Sequence, residues 1–266
     1  MFSQPIIQDI FPEKLIERLN QMAKNFSNSA WFEQLQSLML FHSKIISNYW
    51  PISDPQLIKT LSGVPDEKVE QTVIQFYSQN SYIKIQQMVA NWGKYDFLTQ
   101  RMPILNSCLN ILLSSSNYKD KNNVLIPTLM AQLTGLKESL FLYIPEEERK
   151  TIEKNIQEYL KHKKEKVGEN AIVLQFLYEK HILLGCDLLE LNEIIFNTTF
   201  ARKDKILELN IEKYNKFRNK ILHGDKKFLN YGTEVNMIRA WLEVDFLIKV
   251  HNEIHQRSNL NNTNKK

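Results

Sequence analysis

The run Arg218-Asn219-Lys220-Ile221-Leu222-His223, closed by Gly224, sets a guanidinium, an amide and an imidazole within one short segment. The guanidinium is a planar fork that matches two phosphate oxygens. The imidazole titrates near neutrality, so it can give or take a proton in the working pH range. The amide can orient either partner, because it both donates and accepts. Binding a phosphate and moving a proton beside it is the chemistry these three side chains suit. Most other polar residues in the chain read as solvated helix faces.

The helix that must carry these groups has a legible pattern. At about 100° per residue, Leu207, Ile211, Tyr214 and Ile221 fall on one narrow stripe, and Arg218 falls in its middle. Lys205, Glu208, Glu212, Lys216 and Lys220 occupy the opposite, solvated side. A guanidinium on an apolar stripe is costly unless it is paired or the stripe meets a partner or cavity there. Asn219 and His223 are four apart and share a face. Arg218 lies well over a quarter-turn from His223. Convergence of the two therefore requires a bent helix end, the full reach of the arginine, or a second copy of the chain. Gly224 supplies the stop, and the negative end of the helix dipole favours imidazolium at His223. The plainer alternative is that Arg218 and His223 cap carbonyls or pair with Asp225.

Around this segment the chain reads as all-α. Its 266 residues hold only 7 glycines and 8 prolines, and 3.6-residue periodicity dominates over alternation. Helices are expected from Pro12 to about residue 26, from a cap at Asn28 or Ser29 to Tyr49, and over 66–78, 81–94 and 96–115. The proline- and glycine-bearing stretch 50–68 reads as a hinge. A polar gap at 114–123 reads as a linker. Pro127 is expected to open a helix whose Ile126, Leu129, Leu133, Leu136 and Leu140 form one core stripe. Pro145 with Glu146, Glu147 and Glu148 marks another helix start, running to the basic residues 161–166. The segment 171–196 is apolar almost all round and is expected to be the central buried helix of the C-terminal half. A final buried helix, 232–256, carries Val235, Ile238, Trp241, Leu242, Phe246 and Val250. The divisions are thus an N-terminal helical region, 1–113, with no assignable function, a helical domain at 122–257, and a tail at 258–266 expected to be disordered.

Composition narrows the function classes. The net charge of +4 permits an acidic partner such as RNA without demanding one. Cys108 and Cys186 are far apart and lack metal-ligand neighbours, which fits two buried thiols and a cytoplasmic location. No apolar run reaches a membrane span, and the opening MFSQPIIQDIFPEKL lacks the pattern of a secretion signal. No glycine-rich phosphate loop, nucleophile elbow or zinc cluster is present, so no cofactor or metal is expected. His251 and His255 have metal-ligand spacing but no third ligand, and read as a solvated helical turn. His181 reads as a core or edge histidine. The tryptophans Trp31, Trp50, Trp92 and Trp241 read as core. The run 161–166 reads as a solvated helix end. Lys226 and Lys227, just after the motif, are placed to hold a substrate backbone.

Spaced as R-N-x-x-x-H with a following glycine on a helix, Arg218, Asn219 and His223 resemble the signature of the HEPN superfamily. The resemblance covers roughly residues 122–256 and implies a C-terminal HEPN-like helical bundle. It also implies a metal-independent endoribonuclease, acting as a homodimer on RNA, of the kind that serves as a toxin or in defence against phage. The ribose 2′-hydroxyl is then the nucleophile. Arg218 would hold the phosphate, Asn219 would orient, and His223 would act as acid or base. A dimer would bring two histidines to one cleft and give Arg218 its partner surface. The acidic residue found four positions before a basic one on an earlier helix in many members is not evident, since Gln132 and Leu136 stand there. The alternative is a non-catalytic HEPN-like interaction or RNA-binding module.

Overall fold

The computed structural model describes residues 50–51, 54–159, 168–180, 182 and 231–263. Among these residues there are seven α-helices, one 3-10 turn and no strand, so the all-α expectation holds. The helices are α1 (Pro55–Leu61), α2 (Asp66–Trp92), α3 (Met102–Leu113), α4 (Tyr118–Tyr143), α5 (Glu146–Tyr159), α6 (Glu169–Glu179) and α7 (Glu234–Thr263), with the 3-10 turn at Asp96–Leu98.

The stretch read as a hinge contains α1. Asp54 caps it by accepting from the backbone N–H groups of Gln56 and Leu57, at 2.8 and 3.2 Å. Leu57 and Leu61 are buried on its inner face. Pro65 is the N-cap of α2, with Asp66 and Glu67 in its positive first turn. It is broken where the sequence suggested, between the expected helices 66–78 and 81–94. Gln79 is extended, and Asn80, Ser81 and Tyr82 adopt φ of 50°, 55° and 61°. Three consecutive left-handed residues cost about 1–2 kcal/mol each. Tyr82 Oη donates to Glu234 Oε1 at 2.7 Å and Gln86 Nε2 donates to the Ser81 carbonyl at 2.8 Å, which ties the turn down. The first arm buries Val69, Val73, Phe76 and Tyr77, and the second buries Ile85, Val89 and Trp92, each at helical spacing.

The polar gap narrows to Ser114–Asn117, because α4 already begins at Tyr118. Lys121 Nζ donates to the carbonyls of Leu112 and Ser114, satisfying the open end of α3. Pro127 does not open a helix; it lies inside α4. The stripe Ile126, Leu129, Leu133, Leu136 and Leu140 is buried as its spacing required. Helix α5 buries Ile152 and Ile156, and an ion pair from Lys180 to Glu148 joins it to the end of α6.

The helix expected over 171–196 is described only in its first part, since 183–196 lie outside the described residues. Helix α6 ends at Glu179, capped at Lys180. The most enclosed helix among the described residues is α7, buried almost all round from Asn236 to Ile248 and packed against α4 and α2. It runs on to Thr263, into the stretch expected to be disordered. Trp92 of α2 stacks on Trp241 of α7, with ring centroids 5.8 Å apart. Side chains on both sides of 114–117, from Trp50 to Ile254, join one apolar core. Each fully buried Leu, Ile or Val in it contributes about 1.5–3 kcal/mol.

Candidate functional site

Arg218, Asn219 and His223, with Lys226 and Lys227, lie outside the described residues, as do Trp31, His181, Cys186 and the basic run 161–166. The described residues do include the frame that receives the chain after the motif. Tyr231 stands only eight positions after His223 in the sequence. At Tyr231 the chain is pinned by three asparagines. Tyr231 Oη donates to the Asn123 carbonyl at 2.9 Å. Asn122 Nδ2 donates to the Gly232 carbonyl at 3.3 Å, and Asn236 Nδ2 to the Tyr231 carbonyl at 3.0 Å. Pro127 explains the first of these bonds. Proline has no N–H to give to the carbonyl four residues back, which is that of Asn123. The phenol of Tyr231 fills the vacancy. A proline in the middle of α4 thus leaves the carbonyl on which Tyr231 is anchored.

Beside this anchor a polar stripe runs up α7. Asn236, Arg239 and Glu243 are buried at spacings of three and four, hence on one face. Arg239 Nη2 donates to Glu70 Oε2 at 2.9 Å, and its guanidinium lies 4.5 Å from the centre of the Trp50 ring. Glu243 is fully enclosed, and its Oε2 accepts no hydrogen bond among the described residues. Burial pushes its carboxyl up to about 8, with Lys137 and Arg239 pulling the other way. An unsatisfied buried polar atom costs about 1–3 kcal/mol. The sequence carried a signal for this stripe: Arg239 and Glu243 interrupt the otherwise apolar run MIRAWLEV.

Further along α7 a second polar group opens to the surface. Trp92 Nε1 donates to Asp245 Oδ1 at 2.8 Å, and Lys249 Nζ pairs with Asp245 Oδ2 at 2.6 Å. Tyr77 lies nearby, its phenol raised above the usual range by burial and then by the charges of Asp54 and Asp245. These residues line a groove of about 330 Å³ between α2 and α7, rimmed by Lys84, Lys94 and Tyr95.

His251 and His255 are not a solvated turn. His251 is buried, with Nε2 bonded to the Leu136 carbonyl at 3.0 Å. Burial lowers its pKa to about 4, and the charges of His255 and Arg101 push the same way. His255 stacks on Phe97 at 4.9 Å and meets Tyr143 edge-on. No group able to hold a metal ion occurs among the described residues. Gln132 accepts from Arg101 Nη1 at 3.0 Å, and the missing side chain of Gly135 leaves room for that guanidinium. Trp50, Trp92 and Trp241 are core, as their spacing suggested, and Cys108 is a buried thiol raised to about 11 by burial.

No described helix is long and apolar enough to cross a membrane. The chain matches no protein-family model, no curated protein and no solved structure.

Proposed function

We propose that the chain is a HEPN-type, metal-independent endoribonuclease that acts as a homodimer. The observation that carries this reading is the motif itself. Arg218, Asn219 and His223, with the Gly224 stop, stand on a helical pattern in which Arg218 occupies the apolar stripe. An all-α architecture is compatible with it. So is the fixed anchor at Tyr231, which holds the chain eight residues beyond His223.

The chemistry follows from the groups. The 2′-hydroxyl of RNA attacks the adjacent phosphorus, its proton passing to one imidazole. The bond to the 5′-oxygen breaks, and a second imidazole protonates that leaving group. The products are a 2′,3′-cyclic phosphate and a free 5′-hydroxyl. The guanidinium of Arg218 meets the charge that builds on the phosphoryl oxygens. One histidine cannot fill both proton roles in a single concerted step. Two copies of His223 facing one cleft can.

The test is cleavage of single-stranded or transfer RNA by purified protein in EDTA, with the ends analysed. The expected result is cyclic-phosphate ends for the wild type, and a loss of about 10²–10⁴-fold in rate for His223→Ala with an unchanged circular dichroism spectrum. Cleavage that persists in that variant, or that appears only with added divalent metal, would overturn the proposal.

A further inference from the structure

The groove between α2 and α7 has a composition that the motif does not account for. Three lysines line it: Lys84, Lys94 and Lys249. Each is oriented by a neighbour on the protein. Lys84 reaches Gln56 Oε1 at 2.9 Å and Asp54 at 3.6 Å, Lys94 reaches Asn91 Oδ1 at 2.9 Å, and Lys249 reaches Asp245 at 2.6 Å. Of the two carboxylates in the lining, Asp245 already accepts from Trp92 and pairs with Lys249, and only 8% of its side chain is exposed. Lys94 is exposed and donates to the neutral amide of Asn91, a contact that leaves its charge uncancelled.

The second component is aromatic. Tyr95 lines the groove and stacks on Phe97, with centroids 5.6 Å apart and planes within 17°. Phe97 in turn stacks on His255 at 4.9 Å and 15°. Three near-parallel rings thus form a ladder that begins at the groove. Tyr95 and Phe97 are only partly buried, unlike the core aromatics Trp92 and Trp241. Stacked rings beside lysines are the arrangement that holds a base by its face and a phosphate by its charge. The volume is in the range of small-ligand sites, at their lower end. An acidic peptide would use the lysines and leave the rings idle.

We propose that this groove binds a nucleotide unit, its base extending the Tyr95–Phe97–His255 stack and its phosphate met by the lysine cluster. The shared chemistry is base plus phosphate, supplied either by a single RNA strand or by a free nucleotide. The inference does not depend on cleavage at His223.

Binding is measured by fluorescence anisotropy on the full chain, with a labelled single-stranded 2′-O-methyl oligoadenylate of about ten residues. This probe lacks the 2′-hydroxyl nucleophile, so an inactive or an active enzyme reads the same. Tyr95→Ala is expected to weaken binding about tenfold or more, and Tyr95→Phe to leave it within about twofold. Lys94→Gln, on an exposed side chain, is expected to weaken binding and flatten its salt dependence. Displacement of the probe by millimolar AMP assigns the groove to free nucleotides as well; retention of the probe assigns it to the strand. The inference is overturned if neither the oligonucleotide nor AMP binds. It is equally overturned if Tyr95→Ala and Lys94→Gln both bind as the wild type does, or if polyglutamate displaces the probe as well as unlabelled oligonucleotide.

Discussion

Two buried titratable side chains give the folded chain opposite responses to pH. The His251 imidazole, enclosed between α7 and α4, is held neutral down to about 4 against an ordinary 6.5. As pH falls below 6.5 the unfolded chain takes up that proton first, so stability drops. The drop continues until the folded form also protonates near pH 4, and the gap corresponds to about 3 kcal/mol. Glu243 works the other way. Its carboxyl is raised from 4.5 to about 8, so the unfolded state ionises first as pH rises, and stability falls across that window. Urea unfolding from pH 4 to 8 separates the two. His251→Gln, which keeps a donor for the Leu136 carbonyl, is expected to remove the loss below pH 6.5. Glu243→Gln is expected to be nearly neutral at pH 4.5 and increasingly stabilising as pH rises toward 8. A Glu243→Gln effect that does not grow with pH would show that the carboxylate is not enclosed. Both side chains escaped the sequence reading in their true setting. A histidine four residues from another looks the same in a solvated turn and against a facing helix.

At the scale of elements, the revealing features are a proline and a left-handed turn. Pro127 looked like a helix start because proline suits a first turn. It is tolerated inside α4 because the carbonyl it deprives of a donor belongs to Asn123, and Tyr231 supplies the replacement from far along the chain. Tyr231→Phe is therefore expected to cost about 1–2 kcal/mol by leaving that carbonyl unpaired. In the Pro127→Ala background the helix provides its own N–H, and the same substitution is expected to cost almost nothing. Additive costs in chemical denaturation would break the link between the two residues. The turn at Gln79–Tyr82 was located correctly as a break between two periodic segments. Its handedness was invisible, since asparagine, serine and tyrosine do not announce three consecutive positive φ values as glycine would. Ser81→Gly is expected to raise the melting temperature, with a net gain of about 0.5 kcal/mol after the larger unfolded-state entropy is set against the relieved strain. A lower melting temperature would contradict a left-handed Ser81.

For the whole molecule, the decisive quantities are association and activity together. Light scattering under activity conditions is expected to give a dimer, and a strict monomer would remove the two-histidine mechanism. The sequence by itself determined the fold class and, among the described residues, most helix positions and their core stripes. Period and chain length are local properties: Ile126 to Leu140 must share a face on any helix, and Trp92 and Trp241 are too apolar to leave outside. It also offered Arg218, Asn219 and His223 as candidates for phosphate chemistry, because side-chain types at a fixed spacing need no tertiary contact to be recognised. Only the tertiary structure decided which helix is enclosed on all sides and what satisfies each buried polar group. An apolar pattern does not say how many neighbours will cover it, and among the described residues α7 is the helix enclosed almost all round at 236–248. The pairings Arg239 with Glu70, Trp92 with Asp245 and Tyr231 with Asn123 join residues more than a hundred positions apart. The lysines and rings of the groove come together in the same way, from α2, the 3-10 region and α7, by a packing that no local pattern encodes.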